Sequence, residues 1–479
     1  MLLPPDLLYG EPSVPPSTKI RLRSALPAVC AALLAFACTA PEATERKGDP
    51  GRADTATVPD TGTSEDRDTA DTADTDPLPD TDTDTDDLPP PDECDGVDDP
   101  TSPASCPDPG AMSLAEGGGL APVDADGFVL ADEDGWADAD AILTALERTL
   151  DVRTVGDVLA SANRDGELLS GSRAAGFASG FEWNAGDEDV TYWIPQGVTG
   201  SFDADSSGRV DGYSALLVSW HYDPEEGGTD YDKGVRVSFV DVSSPSVVSY
   251  RHVLLVEPTG TPDAPDFAAV PVHAGGMAWV GSLLYVADTG HGLRVFDLSR
   301  ILEVSTDVDD IGCDSSGHCT AWDYRYVLPQ VSRYVLPECG CDATFSFVSV
   351  DSSTTPPSLV TGAYDADTIE GLLVRWPLDA TTHLLAGGAY TRATQAFVAQ
   401  QDRIQGAASR DGDWWLSCSS QSGAYGLLYA TASGVPSTAH SWVDGPEDLA
   451  IDPGNNWLWS ASEDVGDRAV FAVELAEVR

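Results

Sequence analysis

From Pro195 onward the chain repeats one phrase: three short apolar runs separated by clusters of Gly, Pro, Asp and Ser. One copy reads His273-Ala-Gly-Gly-Met-Ala-Trp, then Leu283-Leu-Tyr-Val-Ala-Asp288, then Gly292-Leu-Arg-Val-Phe-Asp-Leu298. Others begin at Pro195-Gln-Gly-Val-Thr, Phe345-Ser-Phe-Val-Ser-Val, Ile404-Gln-Gly-Ala-Ala-Ser and Gly445-Pro-Glu-Asp-Leu-Ala-Ile. Short runs rich in Val, Leu, Tyr and Trp between turn formers are strands. A strand triplet that recurs is a supersecondary unit that must stack on its neighbours to bury its faces. Room remains in each copy for a fourth strand, as in Tyr250-Arg-His-Val-Leu-Leu-Val256. These features predict an all-β protein, a β-propeller, with five blades and an alternative of six. A sixth unit would have to come from residues 154–194. A two-sheet sandwich does not explain the threefold grouping.

The remaining chain divides by composition. Lys19, Arg21 and Arg23 precede an apolar run over residues 25–37, too short to anchor in a bilayer but apt for a signal peptide. Ala37 before Cys38 resembles the lipobox of bacterial lipoproteins, which implies acylation of Cys38; Ala35 stands where that motif prefers Leu. Residues 1–37 are thus read as leader and signal peptide, and residues 38–112 as a disordered tether of Asp, Thr and Pro. Residues 113–153 form a lead-in with an amphipathic helix over 138–150, in which Ile142, Leu143, Leu146 and Leu150 share a face. Residues 154–479 are the propeller.

Charge narrows the partners. Eighty Asp and Glu oppose 25 Lys and Arg, a net charge of −55. Nucleic acid is excluded, because phosphate contacts need clustered cations. A membrane is reached only through the lipid on Cys38. Lysine occurs only at Lys19, Lys47 and Lys233, which nearly excludes Schiff-base chemistry.

In an exported chain clustered cysteines are read first as disulfides. Cys94 and Cys106 are expected to close a small loop, and Cys339 and Cys341 each to reach back to Cys313 or Cys319. The sharper alternative, zinc beside His318, lacks a Cys-x-x-Cys hairpin. Cys418 alternates with Trp414 and Leu416 and is expected as a buried thiol.

No nucleophile elbow, His-Glu-x-x-His helix or Walker loop is present. Two weaker constellations remain. Asp203, Asp205, Ser207 and Asp211 match the start of a calcium loop, although Ser214 replaces its closing Glu; a plain turn is the blander account. Alignment of the repeats places Gln196, His273, Gln405 and Glu447 just before each first strand, with Asp448 beside them. First strands line a propeller channel, so these groups would meet at one mouth. There they suit a cation, calcium or another divalent ion, or a polyol; alternatively they only latch the ring. The favoured function is a cell-surface or secreted binding protein for a protein, glycan or small molecule, without catalysis. The alternative is a metal-dependent hydrolase of lactonase or phosphoesterase type.

The phrases Pro195-Gln-Gly-Val-Thr, Lys233-Gly-Val-Arg-Val-Ser-Phe, Tyr250-Arg-His-Val-Leu-Leu-Val, His273-Ala-Gly-Gly, Tyr285-Val-Ala-Asp-Thr and Gly445-Pro-Glu-Asp-Leu together resemble secreted bacterial propeller proteins. The repeats also resemble NHL-type and LVIVD-type blades. The resemblance covers roughly residues 150–479 and implies the fold and an exported location, with no catalytic residue carried over.

Overall fold

The apolar runs fold as strands buried on both faces, which is why they read as continuous rather than alternating patterns. The computed structural model describes residues 106–133, 136–338, 340–420 and 424–479. The signal-like run, Cys38, most of the tether, Cys94 and Cys339 lie outside the described residues.

The first unit pairs Trp193–Gly200, Ala215–Tyr222, Val235–Ser244 and Val247–Thr261 as an antiparallel meander. The second pairs Met277–Val280, Leu283–Asp288, Gly292–Asp297 and Tyr326–Val335. The third uses Phe347–Asp351, Ser358–Gly362, Leu372–Pro377 and Gln395–Val398, with Ala121–Val123 added at its edge. The fourth uses Ile404–Arg410, Asp413–Cys418, Leu427–Ala432 and Val435–Ser441. The last has only three consecutive strands, Pro446–Asp452, Trp457–Ser462 and Ala469–Glu474. Its fourth comes from the other end of the fold: Phe177–Glu182 pairs with Ala469–Glu474, Val470 facing Phe181.

Alternation along each strand feeds two apolar layers. Leu216, Val218 and Trp220 join one cluster, while Ala215 and Leu217 join another with Met277, Trp279 and Leu284 of the second unit. Tyr285 and Val295 pack on Val348 and Leu359 of the third, Phe347 and Leu373 on Trp414 and Leu416 of the fourth, and Trp415 and Leu428 on Leu458 and Phe471 of the last. Trp459, Val470 and Ala472 then return to the first unit's layer, which closes the ring. The first strands stand side by side around the axis. Their approach is close: a Cβ on Gly197 would meet the Gly276 Cα at 2.8 Å. The arrangement is a β-propeller.

The lead-in helix spans Trp136–Leu146 with Ile142, Leu143 and Leu146 buried. It ends before Leu150 because Arg148 and Thr149 tighten the last turn onto the Ala145 and Leu146 carbonyls, and the chain enters the strand Asp151–Arg153. Residues 154–194 form no sheet of their own; they supply the helix Val155–Ala160, the strand Arg164–Leu168 and the closing strand Phe177–Glu182.

The disulfides correct the sequence expectation. Cys106 bonds Cys341 rather than Cys94, and Cys313 bonds Cys319 within one hairpin. Paired strands place Cys313 directly opposite Cys319, so these two bond each other and neither is left for Cys341. Cys418 is a buried free thiol, packed with Trp414 and Leu416 as expected.

Candidate ligand site at the channel mouth

Three of the four aligned residues meet. Gln196 Nε2 donates to Glu463 Oε2 at 3.0 Å and to its neighbour's carbonyl, Pro195 O, at 3.0 Å. Gln405 Nε2 donates to Glu447 Oε1 at 3.5 Å. Glu447 and Glu463 hydrogen-bond each other and join the two amides into one chain. Burial, and then the Glu463 charge, hold the Glu447 carboxyl well above its usual range, so it keeps its proton and donates to Glu463. Burial also raises Glu463. Glu447 is 2% exposed and Gln196 1%, whereas Glu463 and Gln405 are half-buried. The inner pair therefore braces an outer pair that reaches solvent. Beneath them buried Arg468 donates from Nε to the Glu463 carbonyl at 2.8 Å.

The repeat pattern does not single out Glu463. Pro446 opposite Ser462 in the last unit's first hairpin brings Glu463 beside Glu447, so strand register was the signal that could have found it.

Asp448 is a latch. Its Oδ2 accepts the backbone N–H of Val198 at 3.3 Å and of Met277 at 3.2 Å, tying together the first strands of three units. Among the described residues its Oδ1 is buried without a partner, and burial pushes its pKa well up. These bonds also set the register of the ring. Val198 corresponds to Met277, so Gly275, not His273, stands where Gln196 stands. His273 lies two residues earlier and faces His221 of the first unit, ring centroids 4.5 Å apart. Burial pushes both imidazoles down, His221 to about 4 with a further push from His273, so the pair is neutral.

The calcium-loop residues point to separate tasks. Asp203 accepts from Thr199 Oγ1 at 3.1 Å, Asp205 from Ser207 N at 2.8 Å, and Asp211 from Gly156 N at 2.8 Å, while the Ser207 hydroxyl turns to the Arg209 carbonyl. Among the described residues no three His, Cys, Asp or Glu side chains form a group that could hold a metal ion.

One arrangement not visible in sequence looks catalytic. Ser238 Oγ is 2.9 Å from His252 Nδ1, and His252 Nε2 is 3.0 Å from Asp187 Oδ1. Ser238 has no exposed surface and takes the Trp220 indole N–H at 2.8 Å, so no substrate can reach it. The triad is a core network.

No family model matches the chain, and no curated protein does. Among solved structures, a β-xylosidase (RS223) is 11% identical over 60% of this chain and 93% of its own, with a TM-score of 0.31. A GH43_1 enzyme from Xanthomonas citri, complexed with xylotriose, is 13% identical over 69% and 92%, TM-score 0.29. A PQQ-bound aldose sugar dehydrogenase from Streptomyces coelicolor is 12% identical over 66% and 99%, TM-score 0.29. Likeness at this level carries no argument about substrate.

Proposed function

We propose that the chain is an exported binding protein: a five-bladed propeller, held by Cys38 and an acidic tether, that takes a hydroxyl-rich small molecule or glycan end at the channel mouth. The observation that carries this is the chain Gln196–Glu463–Glu447–Gln405. A carboxyl that keeps its proton, a second carboxyl and two amides offer donors and acceptors together, which hydroxyl groups need and a bare cation does not. A metal-dependent hydrolase is the second reading, favoured by two carboxyls in contact, one protonated, as acid–base chemistry requires.

Calorimetric titration of neutral sugars and polyols, and separately of calcium, manganese and zinc, tests both. Saturable sugar or polyol binding is expected, weakened about tenfold or more in Glu463→Ala by loss of a charge-assisted hydrogen bond. Glu447→Gln, which mimics the protonated acid, should change stability by less than about 1 kcal/mol. Calcium or manganese binding that Glu447→Gln abolishes, with turnover of a lactone or phosphate ester, would instead establish the hydrolase.

A further inference from the structure

A second cleft lies where two strands flank the outer strand of the first unit. Arg164 opens the strand Arg164–Leu168 and pairs with Tyr250; Arg251 is the next residue along. Arg325 directly precedes Tyr326–Val335, whose first half runs parallel to the same outer strand, Val327 beside Leu254. This topology gathers three guanidinium groups around a cavity of about 190 Å³, walled also by Asn163, Trp322 and Tyr324. In a chain of net charge −55 such a gathering runs against the overall field.

Two of the three arginines are compensated. Arg164 Nε meets Asp187 Oδ2 at 3.0 Å, and Arg325 Nε meets Glu303 Oε1 at 2.7 Å. Arg251 has no carboxylate at ion-pair distance among the described residues; its Nη1 donates to the Ser161 carbonyl at 2.6 Å and its head lies over the Tyr326 ring. Burial holds its pKa below the ordinary value, and Arg325 and Arg164 push it further down. Each of the three keeps N–H groups that its own partners do not use. Among the described residues, Asp323 is the one carboxylate in the wall. It and Trp322 hold left-handed φ angles of 68° and 42°, which cost about 1–3 kcal/mol each for residues of this kind.

We propose that this cleft binds a phosphate or sulfate group, free or as the terminus of a larger ligand. Planar guanidinium forks match the oxygen spacing of such groups, and several forks together can address a tetrahedral anion from different sides. The cavity accommodates the group with little more than its first substituent. Arg251 supplies the uncompensated charge, and Arg164 and Arg325, already oriented by Asp187 and Glu303, supply positioned donors. The site is independent of the channel mouth and stands whether or not a ligand binds there.

The test titrates inorganic phosphate, inorganic sulfate and acetate into the full chain by calorimetry, with NaCl holding ionic strength constant. Saturable binding of phosphate or sulfate is expected, with acetate much weaker; the tighter of the two tetrahedral anions names the ligand group. Arg251→Gln should lower that affinity about tenfold or more. Arg251→Lys, which keeps the charge and loses the fork, should fall between, and serves if the glutamine variant does not fold. No saturable binding of either anion overturns the proposal. So does equal binding of acetate, or affinity unchanged in both Arg251 variants.

Discussion

Asp187 is buried and nevertheless ionised, which only its partners explain. Burial alone would raise its pKa, but His252 at 3.0 Å, Arg236 at 2.9 Å and the Tyr250 hydroxyl at 2.7 Å pull it far down, and Arg164 Nε completes the ion-pair shell at 3.0 Å. His252 pays the opposite way: burial first, then Arg236, push it to about 3, so the folded protein holds it neutral. An unfolded histidine titrates near 6.5. Between about pH 6.5 and 3 the unfolded chain therefore binds more protons, and stability is lost as pH falls through that window. His221, at about 4, acts in the same direction. Glu447 has the reverse sign, since its raised pKa makes stability fall as pH rises above the ordinary carboxyl range. His252→Gln should flatten the acid limb of the Tm–pH curve from about pH 6.5 down, whatever its effect on absolute stability. A variant curve parallel to wild type would mean that His252 is already charged in the fold.

At the scale of elements, the two disulfides differ in what they restrain. Cys313–Cys319 closes a separation of 6 residues and Cys106–Cys341 one of 235. Loop-closure entropy alone sets limits of about 2 and about 5 kcal/mol respectively. The longer bond clips a segment that sheet pairing also holds, through Ala121–Val123 against Gln395–Val398 and Val129–Asp132 against Tyr390–Arg392. Part of its restraint is therefore shared. The double variant Cys106→Ala/Cys341→Ala should lose about 2–4 kcal/mol, and Cys313→Ala/Cys319→Ala at most about 2. Urea unfolding of both variants measures the difference, and a larger loss for the hairpin bond would reverse this ranking.

For the whole molecule, the decisive contact is the closure of the ring. Phe177–Glu182 completes the last unit, so sequence-distant strands must meet before the layer between the last and first units is sealed. Gly180 sits at that seam. A Cβ there would lie 2.8 Å from the Val470 carbonyl oxygen and 2.9 Å from Leu169 Cδ1. Gly180→Val should cost about 1–3 kcal/mol through overpacking. Hydrogen exchange should accelerate at Val470 and Ala472 more than in the third and fourth units. Gly171→Ala, with nothing within 4 Å, is the matched control, expected to stay within about 0.5 kcal/mol. Uniform acceleration over all units would mean that the seam is no weaker than the other interfaces.

What could be read from the amino acids was local. Apolar runs such as Ala215–Tyr222, cut by turn formers, specified strands, and their continuous hydrophobicity specified burial on both faces, because periodicity is a property of neighbouring residues. The recurrence of those runs implied a propeller, and the Gln196, Gln405 and Glu447 positions implied a shared mouth. Pairing between distant residues was decided elsewhere. The choice of Phe177–Glu182 as closing strand, the Cys106–Cys341 bond, the two-residue offset of His273 and the arrival of Glu463 all depend on strand register and ring geometry. So does the meeting of Arg164, Arg251 and Arg325 in one cleft. A sequence pattern states which face of a strand is apolar; only closure of the ring, which minimises exposed edges and fills every layer at once, selects which strands, and therefore which side chains, become neighbours.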